Sequence, residues 1–230
     1  MLFLFFIIDL QGQETYPEKV ADDYRSFDRL YGLDQNLVNG VRYKPEYPGS
    51  EGHPFLDDRQ IFTGGIRIND LRYPQVRLGY NIYNQSVVLE YLNFAGAPEQ
   101  IVLHNESIDE FELGQKKFKN LTFDMTGAAF FQVIEDKDLR CLYLWNKSLN
   151  RSTTSISGFY IYSESKRKFH LWKNGQLYSF NSKKSFVKLF DPLHQKQIKQ
   201  FFKQWHIQLK VISDSQMQEL LKYCNELSED

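Results

Sequence analysis

The sequence contains only two cysteines among its 230 residues, Cys141 and Cys224. Two thiols are too few for a disulfide-rich scaffold or for a zinc site built from several cysteines. Cys141 falls on the apolar side of a predicted strand and Cys224 on the apolar side of a predicted helix, which is typical of inert, buried thiols. We therefore expect both side chains to be buried, either free or paired with each other.

Local signatures of catalysis and of metal binding are also absent. No two of the five histidines lie three to five residues apart, so there is no local metal pair such as H-E-x-x-H. The sequence has neither a G-x-S-x-G elbow nor a glycine-rich phosphate loop. We predict no catalytic residue, no metal site and no cofactor. The candidates for a binding site are His53, in a polar loop, and the adjacent carboxylates Asp57 and Asp58.

The sequence has no apolar run of the roughly 20 residues that a bilayer-spanning helix needs. Its short run from Leu2 to Ile8 has the length of the apolar part of a signal peptide, although no Lys or Arg precedes it. We predict that residues 1–12 are a signal peptide and that the protein is exported, to the periplasm, the outer-membrane periphery or the extracellular space. The alternative is that this run forms a buried N-terminal strand.

The formal net charge is only −1, but the charges are unevenly placed. Between Lys166 and Lys210 there are eleven Lys and Arg residues and a single acid, Asp191. Such a stretch is either a solvated face or a surface for an anionic partner, such as lipid headgroups, nucleic acid or an acidic glycan.

Aromatic residues are abundant, at 16% of the chain. They favour strands, because flat rings pack well on a pleated and half-buried surface. Apolar residues alternate with polar ones from Ile61 onwards, which predicts an antiparallel meander of about ten strands over residues 60–181. The clearest turn is Asn174-Gly175, which predicts a tight hairpin that pairs Trp172 with Leu177.

Helical spacing appears at both ends of this meander. A short amphipathic helix is predicted near the N-terminus, with its apolar side at Val20, Tyr24, Phe27, Leu30 and Tyr31.

In the C-terminal part, residues 182–230, a first helix is predicted to be capped by Ser182 and a second to begin at Asp191-Pro192. The second carries an apolar stripe at Ile198, Phe201, Phe202 and Trp205. A short strand is predicted at Ile207, Leu209 and Val211, and a last helix after a capping box of Ser213 and Gln216.

These elements predict an α+β fold, mainly β, in one domain over residues 13–230. The meander forms a curved sheet or an open half-barrel. The helices each have one apolar side, and the sheet is the available partner for burying it.

Several short motifs, most of them in loops, turns and helices, carry a resemblance. They are the stretches 39–43 (NGVRY), 52–55 (GHPF), 80–84 (YNIYN), 184–190 (KSFVKLF) and 221–225 (LKYCN). Together they resemble a group of exported, β-rich proteins of Gram-negative bacteria. The resemblance implies export and the β-rich architecture, and it brings no activity to transfer.

The sequence thus favours a non-catalytic binding or structural module of the cell envelope, with an apolar small ligand or an anionic envelope polymer as partner. We expect no specific nucleic-acid binding and no transmembrane span. One alternative is an envelope hydrolase whose site is assembled from distant residues. The other is a surface component that binds anionic polymers through the basic C-terminal face.

Overall fold

A computed structural model describes residues 33–151 and 160–229. Its described part is mainly β, with one antiparallel sheet of eleven strands, a separate two-stranded hairpin and three helices near the C-terminus. None of the helices in these ranges is long and apolar enough to cross a bilayer. The predicted signal peptide and the predicted N-terminal helix lie outside the described residues.

The sheet has the strand order β1-β5-β4-β3-β2-β6-β7-β8-β9-β12-β13, and the hairpin consists of β10 and β11. The strands are β1 (Gly40–Arg42), β2 (Phe62–Ile68), β3 (Leu71–Asn81), β4 (Ser86–Leu92), β5 (Pro98–Leu103), β6 (Ile108–Leu113), β7 (Lys116–Phe123), β8 (Gly127–Asp136), β9 (Leu139–Asn146), β10 (Leu149–Arg151), β11 (Tyr160–Tyr162), β12 (Lys166–Lys173) and β13 (Gln176–Phe180). The helices are α1 (Lys183–Val187), α2 (Gln195–Gln204) and α3 (Asp214–Glu229).

The connection from β5 to β6 shows that the sheet is strongly curved. Strands β4, β3 and β2 lie between these two strands in the sheet, so a flat sheet would separate them by about 19 Å. The chain from Leu103 to Ile108 extends over at most about 18 Å, and it also runs between opposite ends of the strands. The first strands therefore curve over one face of the sheet, although the sheet is not closed.

This curvature encloses a first core on the inner face of β2 to β8. Tyr80 is its centre, with ring centroids 5.3 Å from Phe111, 5.3 Å from Phe118 and 5.9 Å from Phe130. The abundant aromatic residues therefore serve, in this half, to fill the curved sheet. The remaining buried members are Leu56, Ile66, Ile68, Leu78, Ile82, Val87, Leu89, Ile101, Leu103, Ile108 and Leu113.

A second core lies where the helices cover β8, β9, β12 and β13. The sheet contributes residues such as Leu171 and Phe180, and the helices contribute apolar residues from all three segments. Both thiols belong to this core: Cys141 and Cys224 are buried, as predicted, and free. Burial raises the pKa of both thiols, that of Cys224 to about 12. The helical members are Phe186, Val187, Ile198, Phe202, Met217, Leu220, Leu221 and Cys224, and Phe190 joins them from the turn after α1.

The predicted helix caps are largely confirmed. The Ser182 hydroxyl accepts from Ser185 N at the start of α1. At the start of α3, Ser213 Oγ accepts from Gln216 N while Gln216 Oε1 accepts from Ser213 N, which is a reciprocal capping box. The start of α2 differs: Asp191 accepts from Leu193 N in a turn, and the helix begins at Gln195.

Two predictions in the C-terminal part are wrong. The stretch 207–211 is not a strand, because its last residues form a 3-10 turn, Leu209–Val211, and Val211 faces solvent. Trp205 does not complete the buried stripe of α2 either. It follows the last helical residue, so it leaves the periodic face, and its residue surface is 59% exposed.

An arginine whose side chain is only 12% exposed connects the helices to the sheet. The guanidinium of Arg167 on β12 lies 4.6 Å from the ring centroid of Tyr143 and 5.1 Å from that of Phe169. It also donates to the carbonyl of Ile212 and lies 3.9 Å from the carboxylate of Asp214, at the start of α3. Cation–π contacts of a desolvated arginine stabilise such an arrangement, and the hydrogen bond fixes its direction.

The hairpin between β12 and β13 has the predicted register. Trp172 pairs with Leu177, and the two turn residues Asn174 and Gly175 have φ values of 51° and 74°. These are the positive values that a type I′ turn requires. The local turn sequence was therefore sufficient to predict this pairing.

Leu220→Ala tests whether the helices belong to the core. Leu220 is fully buried in the second core, so its truncation should lower the free energy of unfolding by about 2–5 kcal/mol. The matched control is Leu193→Ala. Leu193 is 81% exposed, so its truncation should lower the free energy of unfolding by less than about 0.5 kcal/mol. Urea unfolding of both variants measures the difference. Equal stabilities for the two would contradict the buried helix layer.

Candidate functional site

The segment before β2 crosses the end of the sheet and carries the predicted site residues. This crossing segment (residues 50–61) pairs with two separate strands. Leu56 N donates to Tyr80 O at the end of β3, and Tyr162 N of β11 donates to Glu51 O, both at 3.0 Å. Gly79 allows the close approach, because a Cβ there would lie 2.6 Å from Gln60 O. The segment is therefore held in place by backbone contacts on both sides.

His53 lies on this segment, and both its ring and its carbonyl form hydrogen bonds with neighbouring residues. Its Nδ1 accepts from the backbone N of Phe55 at 3.2 Å, and its carbonyl accepts from Lys147 Nζ at 2.9 Å. Burial, followed by the charge of Lys147, lowers the pKa of His53. The imidazole is therefore held neutral near physiological pH.

The structure brings Asp57 and Asp58 near the same lysine. Asp57 forms an ion pair of 3.1 Å with Lys116. Burial lowers the pKa of Lys147, and the charges of Glu164, Asp58 and Asp57 oppose that shift. The three residues predicted from the sequence thus lie in one polar cluster, together with Lys116, Lys147 and Glu164.

Sequence analysis missed the second half of this cluster. Lys147 follows β9 and Glu164 follows β11, so both lie about 90 residues or more from His53 in the chain. No local pattern marks either residue. Only the path of the crossing segment brings them together, and that path depends on long-range backbone pairing.

The geometry of this cluster suits anchoring better than catalysis. The hydroxyl of Ser165, the residue after Glu164, donates to Leu56 O at 2.6 Å, so its proton is already used in a structural hydrogen bond. His53 Nδ1 accepts from the backbone, as described, so this nitrogen does not activate a nucleophile. Within residues 33–151 and 160–229, no group of three His, Cys, Asp or Glu side chains is placed to hold a metal ion. We interpret the cluster as the device that fastens the crossing segment.

A second region of interest is the outer side of α2. Lys196, Lys199 and Lys203 recur at spacings of three and four residues, so they share one face of the helix. All three are exposed, and none forms an ion pair in the described part of the chain. We call these three residues the basic face. The sequence adds no acid anywhere from Pro192 to Ser213.

Other lysines nearby have structural contacts instead. Lys183 Nζ donates to Lys199 O at 2.9 Å and lies 5.2 Å from the ring centroid of Phe202. Lys173 Nζ donates to Leu189 O at 3.2 Å and lies over Phe190. The basic stretch predicted as one surface therefore divides into lysines that hold the helices and lysines that face solvent.

Two of the open depressions on the described surface have volumes of about 490 Å³ each. One lies at the end of α2 and is lined by Gln200, Lys203, Gln204 and His206. The other is lined by residues of β2, β6, β7 and β8 and of the 3-10 turn before β6. Neither lies between the helices and the sheet, where a carrier of apolar ligands would have its cavity.

No protein-family model matches the chain, and no curated protein or solved structure is significantly similar to it. The resemblance to exported Gram-negative proteins therefore stays a prediction.

We expect two histidines, the half-buried His53 and the buried His170, to make the fold less stable in acid. Burial lowers the pKa of His170, whose Nδ1 lies 3.0 Å from Ser179 Oγ, and it lowers that of His53. A lowered folded-state pKa means that the unfolded chain binds more protons. Stability is then complete above the unfolded pKa of about 6.5 and is lost as the pH falls towards the folded pKa.

His170→Gln removes one of these titrations while keeping a polar partner for Ser179. We expect the melting temperature of this variant to fall less than that of the wild type between about pH 7 and pH 5. Thermal unfolding across that range measures it, with the exposed His104→Gln as the control. An unchanged pH dependence in His170→Gln would contradict the assignment.

Proposed function

We propose that the chain is a non-catalytic binding module of the cell envelope that holds an anionic partner through the basic face. The main support is that Lys196, Lys199 and Lys203 lie on one side of α2 without an ion pair among the described residues. Export belongs to the same proposal and rests on the apolar run at Leu2 to Ile8.

The repulsion within this row is the physical argument. Like charges at these spacings destabilise a helix by about 0.2–0.5 kcal/mol per pair. Glutamate at the middle position, Lys199, would remove the repulsion, since these side chains form no hydrogen bond or ion pair with the described residues and Glu forms helices as well as Lys does. An anionic partner relieves the same repulsion and gains from the summed field of the lysines.

The rival functions have less support from the described residues. The hydrolase alternative would use His53, whose Nδ1 accepts from Phe55 N, and the nearby hydroxyl of Ser165 is bonded to Leu56 O. The carrier alternative requires an apolar cavity between sheet and helices, but the apolar side chains of the two layers pack against each other in one buried cluster. We therefore favour the anionic partner over an apolar small ligand.

The triple variant Lys196→Gln, Lys199→Gln, Lys203→Gln tests the proposal with heparin as the soluble anionic probe. We expect the wild type to bind heparin with an affinity that falls as salt rises, because the contacts are electrostatic. The variant should bind roughly a hundredfold more weakly, since each of the three lysines near an anionic surface contributes about 1 kcal/mol. Titration calorimetry at two salt concentrations measures both effects.

The matched control removes the same charge elsewhere. Lys44→Gln, Arg72→Gln, Arg151→Gln changes the net charge equally, and all three side chains are exposed outside the helices. It should retain heparin binding within a small factor. Equal losses in the two triple variants would mean that net charge alone governs binding, which would overturn the proposal.

A further inference from the structure

We infer that the anionic partner is a lipid surface. The end of α2 and the turn after it face this surface, and Trp205 and Val211 enter the headgroup region. We call residues 203–211 the docking segment. This inference rests on the proposed function, because it names the partner of the same basic surface.

The docking segment exposes apolar side chains that the core does not use. Trp205 is 59% exposed and Val211 is 75% exposed, whereas Ile207 and Leu209 between them are buried. The buried pair holds the backbone of the segment against the second core. Exposed apolar residues fixed in this way gain free energy when a partner removes them from water.

Trp205 is held in place before any partner arrives. Its ring centroid lies 5.8 Å from that of Phe201, and the ring of Phe201 is stacked on Tyr223 at 4.4 Å. Docking therefore orders this side chain little, which lowers the entropic cost of binding. Tryptophan is also the residue whose apolar ring and polar N–H suit the boundary between water and lipid.

Each of these two apolar residues has an exposed lysine close before it in the chain. Lys203 precedes Trp205 and Lys210 precedes Val211, and His206 borders the depression that Lys203 lines. The six steps from Trp205 to Val211 extend over at most about 22 Å, so the exposed charges and apolar side chains lie close together along the chain. Apolar contact together with attraction to anionic headgroups is the combination that holds peripheral proteins on membranes.

A soluble polyanion accounts for less of this surface. A hydrophilic glycan would contact the lysines and leave Trp205 and Val211 in water. A single-stranded nucleic acid would stack a base on Trp205 but gain little from Val211. A lipid surface uses both the apolar and the charged residues, so we take it as the partner.

The test compares binding to vesicles of phosphatidylcholine with and without phosphatidylglycerol. The wild type should cosediment with the anionic vesicles and much less with the neutral ones. Trp205→Ser with Val211→Ser should reduce partitioning roughly tenfold, because the apolar contact is lost. Lipids brominated in the acyl chain should quench the tryptophan fluorescence of the wild type but not that of the Trp205→Ser variant.

Controls separate this effect from loss of fold and from general surface hydrophobicity. Leu92→Ser with Phe94→Ser removes two exposed apolar side chains, of 61% and 88% exposure, at the end of β4 and in the turn after it. This double variant should leave partitioning unchanged. Val211→Ser alone keeps Trp205 and should still weaken binding. Melting temperatures of all variants show whether each is folded.

The outcomes distinguish the two proposals. Binding to heparin or single-stranded DNA without binding to anionic vesicles overturns the lipid inference and leaves the basic face intact. If the Trp205→Ser, Val211→Ser variant binds anionic vesicles as well as the wild type does, these residues do not insert into the lipid surface. Failure to bind heparin, nucleic acid or vesicles overturns both proposals.

Discussion

Burial of the apolar face of β8, β9, β12 and β13 under the C-terminal helices is the interaction on which the other features depend. Helices of 5, 10 and 16 residues gain little stability from their own hydrogen bonds in water. They form because Phe186, Phe202 and Leu220 occupy the sheet face. Arg167, which is packed among aromatic rings, then fixes where α3 begins by donating to the carbonyl of Ile212 and lying beside the carboxylate of Asp214.

The apolar face of the sheet is covered differently in its two halves. In the first half, short connections such as that from Leu103 to Ile108 force the sheet to curve over its own apolar face. In the second half the helices supply the cover. Trp145 packs against both cores, and its Nε1 donates to Gln132 Oε1 at 2.8 Å while Gln132 Nε2 donates to Asp214. A continuous polar chain therefore links the two halves with the helix layer.

The position of the basic face follows from this packing. Ile198 and Phe202 direct one side of α2 into the core, so the lysines on the opposite side face solvent as a fixed row. The same burial, continued by Ile207 and Leu209, leaves Trp205 and Val211 outside. The surface that we propose to bind an anionic lipid layer is thus a consequence of how the second core is filled.

Local chemistry predicted the elements whose causes are local. Asn174-Gly175 specified a hairpin and its register, and Ser182 and Ser213 marked helix starts, because a turn or a cap involves only a few neighbouring residues. Periodicity misplaced Trp205 and Val211, since it assumes that a helix or strand continues, and both residues lie where α2 has ended. Lys147 and Glu164 were missed because only the crossing segment, held by long-range pairing, brings them to His53.

Native-state hydrogen exchange tests most directly whether the helix layer is part of the core. If the account is right, the amides of Phe202 and Leu221 exchange only through global unfolding, with the same free energy as those of Cys141 and Leu171 in the sheet. Exchange of the helix amides at a clearly lower free energy, while the sheet stays protected, would show an appended helical layer. That result would contradict the single cooperative unit on which the fixed basic face depends.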